Sequence, residues 1–196
     1  MQTNMLRANV KIVGMRPLLW NHFSTESLPL SKVEKKGVAG NNPEEWKKTV
    51  LHDTNKQLYL EPASIFGCIR DGAKYTKIGR GSLQPLVAAT LQVLDPKILV
   101  NRYLPDEITA DATQDVYLDV RSVKNPTTKG RNIRYRVAAS TGWKLNFNIF
   151  WDKTIINRDQ VHAIINDAGM YCGLGDGRSI GFGRFEVEEF RLEENA

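Results

Sequence analysis

Residues 173 to 185 read Gly-Leu-Gly-Asp-Gly-Arg-Ser-Ile-Gly-Phe-Gly-Arg-Phe, placing five glycines and two arginines between a helix-like segment and a strand-like one. Glycine permits positive φ and close backbone approach, so such a loop can turn successive N–H groups toward an anion. Arg178 and Arg184 add planar guanidinium forks that match phosphate. The order of elements then restricts the fold. A dinucleotide-binding fingerprint follows a strand and opens a helix, whereas this run follows a helix and feeds a strand. It also lacks the Gly-Lys-Ser/Thr ending of a nucleotide-triphosphate loop. A contact to a polyanion backbone is the reading left.

The 196 residues suffice for one domain with insertions and a substantial core. Net charge is +5, and it is unevenly spread: Arg121, Lys124, Lys129, Arg131, Arg134 and Arg136 follow one another without an acid, while the stretch Glu186 to Glu194 is acidic. A basic block in an otherwise balanced chain reads as a nucleic-acid footprint; the alternative is a solvated basic hairpin. Cys68 and Cys172 lack metal spacing and sit in apolar-patterned segments, which predicts buried thiols in a reducing compartment. There is no run of 18 apolar residues and no signal-peptide pattern, so the expectation is a cytoplasmic protein without a membrane partner.

Period-2 alternation predicts strands at Leu6–Ile12, Val116–Val120, Trp143–Trp151 and Phe185–Leu192, with a short one at Gln57–Leu60. In the strand from Trp143, the residues Trp143, Leu145, Phe147, Ile149 and Trp151 form the core face. A helix beginning at Pro62 buries Ile65, Cys68, Ile69 and Ala73, and a second helix is expected over Leu83–Leu94. Asn157 with Gln160 three residues on marks the start of a third, with Val161, Ile164, Ile165 and Ala168 inward. Asn125-Pro126 to Gly130 is turn chemistry, which makes residues 121–136 a hairpin with a basic tip. Residues 21–56, with a Lys-rich piece from Lys32 to Lys36, and 79–114 read as insertions into a single domain spanning 1–196. Without them the order is strand, helix, strand, strand, helix, strand. The predicted class is therefore α+β, with a ferredoxin-like or RNA-recognition-motif core (βαββαβ) and a thumb-like basic hairpin.

Three segments together resemble the repeat-associated mysterious protein (RAMP) superfamily of CRISPR systems, and within it the backbone subunit of type III-like effector complexes. They are the glycine run, Tyr59-Leu-Glu-Pro-Ala-Ser-Ile-Phe-Gly-Cys-Ile-Arg70, and Asp119-Val-Arg121 followed by the basic hairpin and Arg136 to Phe147. The resemblance implies binding of guide RNA through its phosphates, association with copies of itself and with other effector subunits, and no cofactor. It implies RNA contacts from Gly175, Gly177, Arg178, Ser179, Gly181, Gly183 and Arg184. Ser64, Arg70 and Lys74 of the first helix and Arg121, Lys124, Lys129 and Arg131 of the hairpin complete the set. Two departures matter. The family's helix-opening lysine falls on Phe66, and its catalytic aspartate is absent from the stretch Glu44-Glu45-Trp46-Lys47-Lys48. The resemblance therefore favours binding over cleavage; Asp53 matches a different aspartate of the pattern.

The rival enzymatic reading is a RAMP endoribonuclease that processes precursor guide RNA with His22 or His52, since histidine is the usual general acid or base in metal-free RNA cleavage. A third is a mobile-element homologue that interferes with effector assembly. His162 lies beside the apolar stripe of the last helix. The carboxylates from Asp106 to Asp115 match no calcium loop, so no metal is expected. Trp20, Trp46, Phe66 and Phe182 either stack on bases or pack internally.

Overall fold

The computed structural model describes residues 4–22, 42–124 and 130–193. Its main sheet grows from the two strands with the strictest alternation. In β1 (Met5–Gly14) the buried side chains are Ala8, Val10 and Ile12; in β10 (Lys144–Asp152) they are Leu145, Phe147, Ile149 and Trp151. The strands run antiparallel with Val10 opposite Phe147 and Ile12 opposite Leu145, so both apolar sets point to one side. β11 (Phe185–Leu192) pairs with the other edge of β1. β7 (Ile98–Tyr103) pairs with the other edge of β10, and β3 (Gln57–Leu60) lies beyond β7.

Two helices supply the opposing layer. α2 (Pro62–Gly72) buries Ile65, Cys68 and Ile69 in the same core as the sheet. α4 (Arg158–Asp167) does so with Val161, Ile164 and Ile165. It opens on a capping box: Asn157 Oδ1 accepts from the Gln160 N–H at 2.9 Å, and Gln160 Oε1 from the Asn157 N–H at 3.0 Å. In chain order β1, α2, β7, β10, α4 and β11 are the six elements of a ferredoxin-like core, in the spatial order β11-β1-β10-β7. The predicted α+β class is the observed one.

The second core strand is not where the alternation pointed. β8 (Val116–Lys124) and β9 (Arg131–Ala139) form a separate three-stranded sheet with β2 (Leu18–Leu19), while β7 fills the core position from within residues 79–114. β7 hid because it is short, follows Pro96, and exposes Leu99 and Tyr103 on its solvent side. β8 misled in the opposite sense. Its buried residues are Val116, Tyr117 and Asp119, and Val120 is exposed, because only its first half lies against the body. The helix expected over Leu83–Leu94 stops early: α3 (Gln84–Thr90) is followed by β6 (Gln92–Val93), which pairs with β10. Asp95 then bridges the gap to β7, accepting from the Asn148 N–H at 2.6 Å and its side-chain amide at 2.9 Å.

α1 (Trp46–Thr49) and the hairpin of β4 (Lys77–Ile78) and β5 (Gly81–Ser82) complete the described elements. The Lys32–Lys36 piece, the turn at Asn125-Pro126 and Lys129 lie outside the described residues. Among the described residues no helix is long and apolar enough to cross a membrane. Both cysteines are free; Cys68 is buried as expected, whereas Cys172 is only half-buried.

Candidate nucleic-acid interface

The glycine run folds into a docked stem and an exposed tip. Beyond α4 the chain makes a π-helical turn, Ala168–Cys172, and then lies along β2. The Asp176 N–H donates to the Leu19 carbonyl at 2.9 Å, the Gly183 N–H to Pro17 at 2.8 Å, and the Leu174 N–H to Gly183 at 2.9 Å. Gly183 has φ +68°, and a Cβ there would sit 1.8 Å from the Leu174 carbonyl oxygen, so the stem closes only around glycine. Much of the run's N–H capacity is thus used internally. What faces outward is the 3₁₀ turn Arg178–Ile180, carried between left-handed Gly177 and Gly181.

That tip overhangs an open cavity of about 1050 Å³. Among the described residues seven basic side chains line it, Lys74 just after α2, Arg121 and Lys124 from β8, Arg134 and Arg136 from β9, and Arg178 and Arg184 from the loop, together with the acids Asp71 and Asp176. Of the residues expected from sequence, Gly175, Gly177, Arg178, Ser179, Arg184, Lys74, Arg121 and Lys124 meet at this cavity. Ser64 lies beside it, lining a cavity of about 140 Å³ with Gly175 and Arg178. Arg70, Arg131, Gly181 and Gly183 do not line it. Arg70 is exposed on α2, 3.4 Å from Asp71, and Arg131 reaches the Ser122 hydroxyl at 3.5 Å. Gly181 borders a separate cavity of about 180 Å³ beside Pro17, and Gly183 is buried in the stem.

The walls are fixed by charged side chains that lie inside, where residue type alone would not place them. Arg136 is 5 % exposed and lies between Asp176 at 2.6 Å and Asp119 at 3.4 Å, joining the glycine loop to the hairpin. Asp119 also accepts from Arg121 Nε at 2.6 Å, and the Arg121 guanidinium stacks 4.6 Å above the Phe182 ring. Arg121 is thereby held in place with about half of its side chain exposed. Phe182 is buried under it, and Trp20 is buried with its indole N–H on the Tyr59 carbonyl at 2.9 Å, so both are packing residues.

Asp71 is shared by Lys74 at 3.1 Å, Arg70 at 3.4 Å and Arg178 at 3.5 Å, one carboxylate for three cations. Partial burial pushes its pKa up, but the Lys74 hydrogen bond and charge and the Arg70 charge outweigh this, and the net effect is a lowered pKa. Cys172, also on the wall, is shifted up, first by burial and then by the Asp71 charge. Among the described residues, Arg136 Nε and Arg184 Nη1 are buried without a hydrogen-bond partner, as is Arg102 Nε away from the cavity.

The remaining candidates are dispersed. His22 Nδ1 is 3.6 Å from Glu61, and the ring lines a cavity of about 220 Å³ with Ser64, Gly175 and Asp176. His52 contacts the Asp53 carbonyl at 2.9 Å. Glu45 accepts from the Tyr135 N–H at 2.7 Å and Arg134 at 3.1 Å, tying α1 to β9. Asp53 caps a turn, accepting from the N–H groups of Asn55 and Gln57 at 2.8 and 2.9 Å. Asp106 pairs with Lys56 and Asp111 accepts from Thr113, so the acidic stretch is divided among local contacts.

The main sheet's solvent face is a lattice of polar pairs, with Asn9 donating to Asn148 at 2.8 Å and Lys144 to Glu188 at 2.5 Å, and Arg7 covers Phe150. The exposed ring of this sheet, Tyr103 at the end of β7, does not line the basic cavity. Two aromatics that sequence reasoning missed, Tyr75 and Tyr171, line the basic cavity instead. They come from separate helix ends, and no local pattern marks them.

No protein-family model matches the chain, and no curated protein matches its sequence. Solved structures do match, 129 chains in all. One is a chain in the cryo-EM structure of the type III-B Cmr-beta bound to cognate target RNA, similar at 14 % identity with a TM-score of 0.53. The match covers 98 % of this chain and 62 % of that one, so this chain spans less than two thirds of its neighbour's length. The likeness is one of fold, shared with a subunit of a CRISPR complex.

Proposed function

We propose that this chain is an RNA-binding backbone subunit of a CRISPR-type ribonucleoprotein and a member of the RAMP superfamily. The basic cavity between the glycine-loop tip and the β8–β9 hairpin holds guide RNA by its phosphates, and the chain's role is positional. Copies associate head to tail along the RNA with other effector subunits, a heterologous contact that extends into a filament. One observation carries the reading: among the described residues seven basic side chains line a single cavity, and the carboxylates that pair with them are four, Asp71, Asp176, Asp119 and Glu45. The fold shared with a chain of an RNA-bound complex supports the same reading.

The test is to purify the protein with its nucleic acid, sequence the RNA, and weigh the particle after nuclease trimming. Protected fragments that lengthen by a constant increment with each added copy are expected. Particles free of RNA would overturn the proposal.

A second reading has one observation in its favour. His22 and Ser64 border one small cavity that also reaches Gly175, and the Glu61 carboxylate lies 3.6 Å from His22 Nδ1, which suits metal-free endoribonuclease chemistry on a bound strand. Discrete cleavage of repeat RNA in chelator, abolished by His22→Ala, would select it.

A further inference from the structure

Tyr75 and Tyr171 stand at the cavity's edge with ring centroids 4.8 Å apart and planes inclined by 44°. They are 52 % and 46 % exposed, and the exposed Met170 and Ile180 sit in the same neighbourhood of the chain, on the π-helical turn and the loop tip. Large apolar surface left open beside a recognition groove marks a contact site. The pair is also held firmly from behind. Tyr75 follows α2 and Tyr171 belongs to the π-helical turn, and these two segments touch so closely that a Cβ on Gly72 would lie 2.7 Å from Ala168. The Thr76 hydroxyl donates to Asp167 at 2.8 Å, fastening the same junction on its other side. π-helical turns recur at functional sites because they displace side chains from the regular helical path. Here the turn delivers an aromatic ring to the wall that also carries Arg178 and Arg184.

The geometry points to a base-stacking platform: Tyr75 and Tyr171 take an unpaired nucleobase of a single-stranded polynucleotide whose phosphates run through the basic cavity. This rests on the polynucleotide reading above and specifies its substrate class. Cations alone attract any polyanion, duplex or single strand, whereas exposed rings beside them add affinity only for a chain with accessible π-faces. A duplex keeps its bases stacked and offers none to the rings. The pair does not read sequence, because every base has a face to stack.

The test compares the full-length protein with a Tyr75→Ala/Tyr171→Ala variant on two probes, a short oligouridylate and the same strand made abasic. Stacking is lost with the rings, so the variant should bind oligouridylate about ten-fold more weakly. Its affinity for the abasic strand should equal that of the unaltered protein, and Tyr75→Trp/Tyr171→Trp should retain tight binding to oligouridylate. Equal binding of both probes by the unaltered protein would overturn the platform and leave the phosphate groove standing. Failure of the unaltered protein to bind either probe would overturn both. Loss of self-association by the alanine variant with RNA affinity intact would show that the rings belong to a protein contact, and that too would overturn the platform.

Discussion

The largest fully buried side chains are Trp143, Trp151 and Phe147, on and just before β10 and in one core with residues of α2 and α4; the small sheet also buries Leu18, Leu19, Val137, Ala138 and Ala139, but beside them it buries charge, with Arg136 lying between Asp119 and Asp176. The difference separates two tasks. Apolar burial is non-directional and roughly proportional to area, so it assembles the fold and tolerates small displacements. A buried ion pair carries a desolvation cost and returns it only in good geometry, so it adds little net stability but fixes one register. Here that register is the distance between hairpin and glycine loop, the two walls of the basic cavity. The sheet makes the protein fold, and the ion pair makes the groove.

Breaking the first side should give the largest effect. Trp143 is fully buried and donates its indole N–H to the Arg16 carbonyl at 2.8 Å. Trp143→Ala should cost about 3–5 kcal/mol in urea denaturation; a cost within ~1 kcal/mol would mean the core is held elsewhere. Breaking the second side should cost somewhat less. Asp119→Ala leaves Arg136 short of a partner and should destabilise by about 3 kcal/mol. The paired change Asp119→Leu/Arg136→Met sharpens the contrast: melting temperature should recover while RNA affinity stays low, since the walls lose their register. Recovery of both would refute the division of tasks.

The smallest effect expected is that of pH on binding. Asp71 has a lowered pKa and Cys172 a raised one. Near neutrality Asp71 is therefore ionised and Cys172 is a neutral thiol, and neither changes the cavity's charge between about pH 6 and about pH 8. Affinity measured across that window should be flat. The sign for stability follows from the same lowering. The contribution of the Asp71 contacts is complete above the ordinary carboxylate range and is lost as pH falls through the depressed value. A binding curve that bends within that window would contradict this expectation.

Legibility in the sequence divides along the same line. β3, β11, the α4 capping box and the buried faces of α2 and β10 could be read directly, because period and cap chemistry are local. β7 could not, since half its apolar residues face solvent and Pro96 breaks its approach. The tip arginines of the glycine run were legible as charge in a loop. The burial of Asp119 and Arg136 was not, because charged residues count as surface until their partners are known, and Asp176 lies forty residues along the chain. Glycine spacing alone suggests a cradle for an anion. Gly183 proves instead to be needed for the loop's own closure against Leu174.

A cavity that grips a polynucleotide backbone displaces counterions as it does so, and the salt dependence of affinity reports that grip. Logarithmic affinity for single-stranded RNA should fall linearly with logarithmic salt, with the same slope for unrelated sequences. Arg178→Ala/Arg184→Ala should reduce that slope by about 1.4, roughly 0.7 for each phosphate contact removed. A slope unchanged by the double substitution, or one that depends on sequence, would contradict the claim.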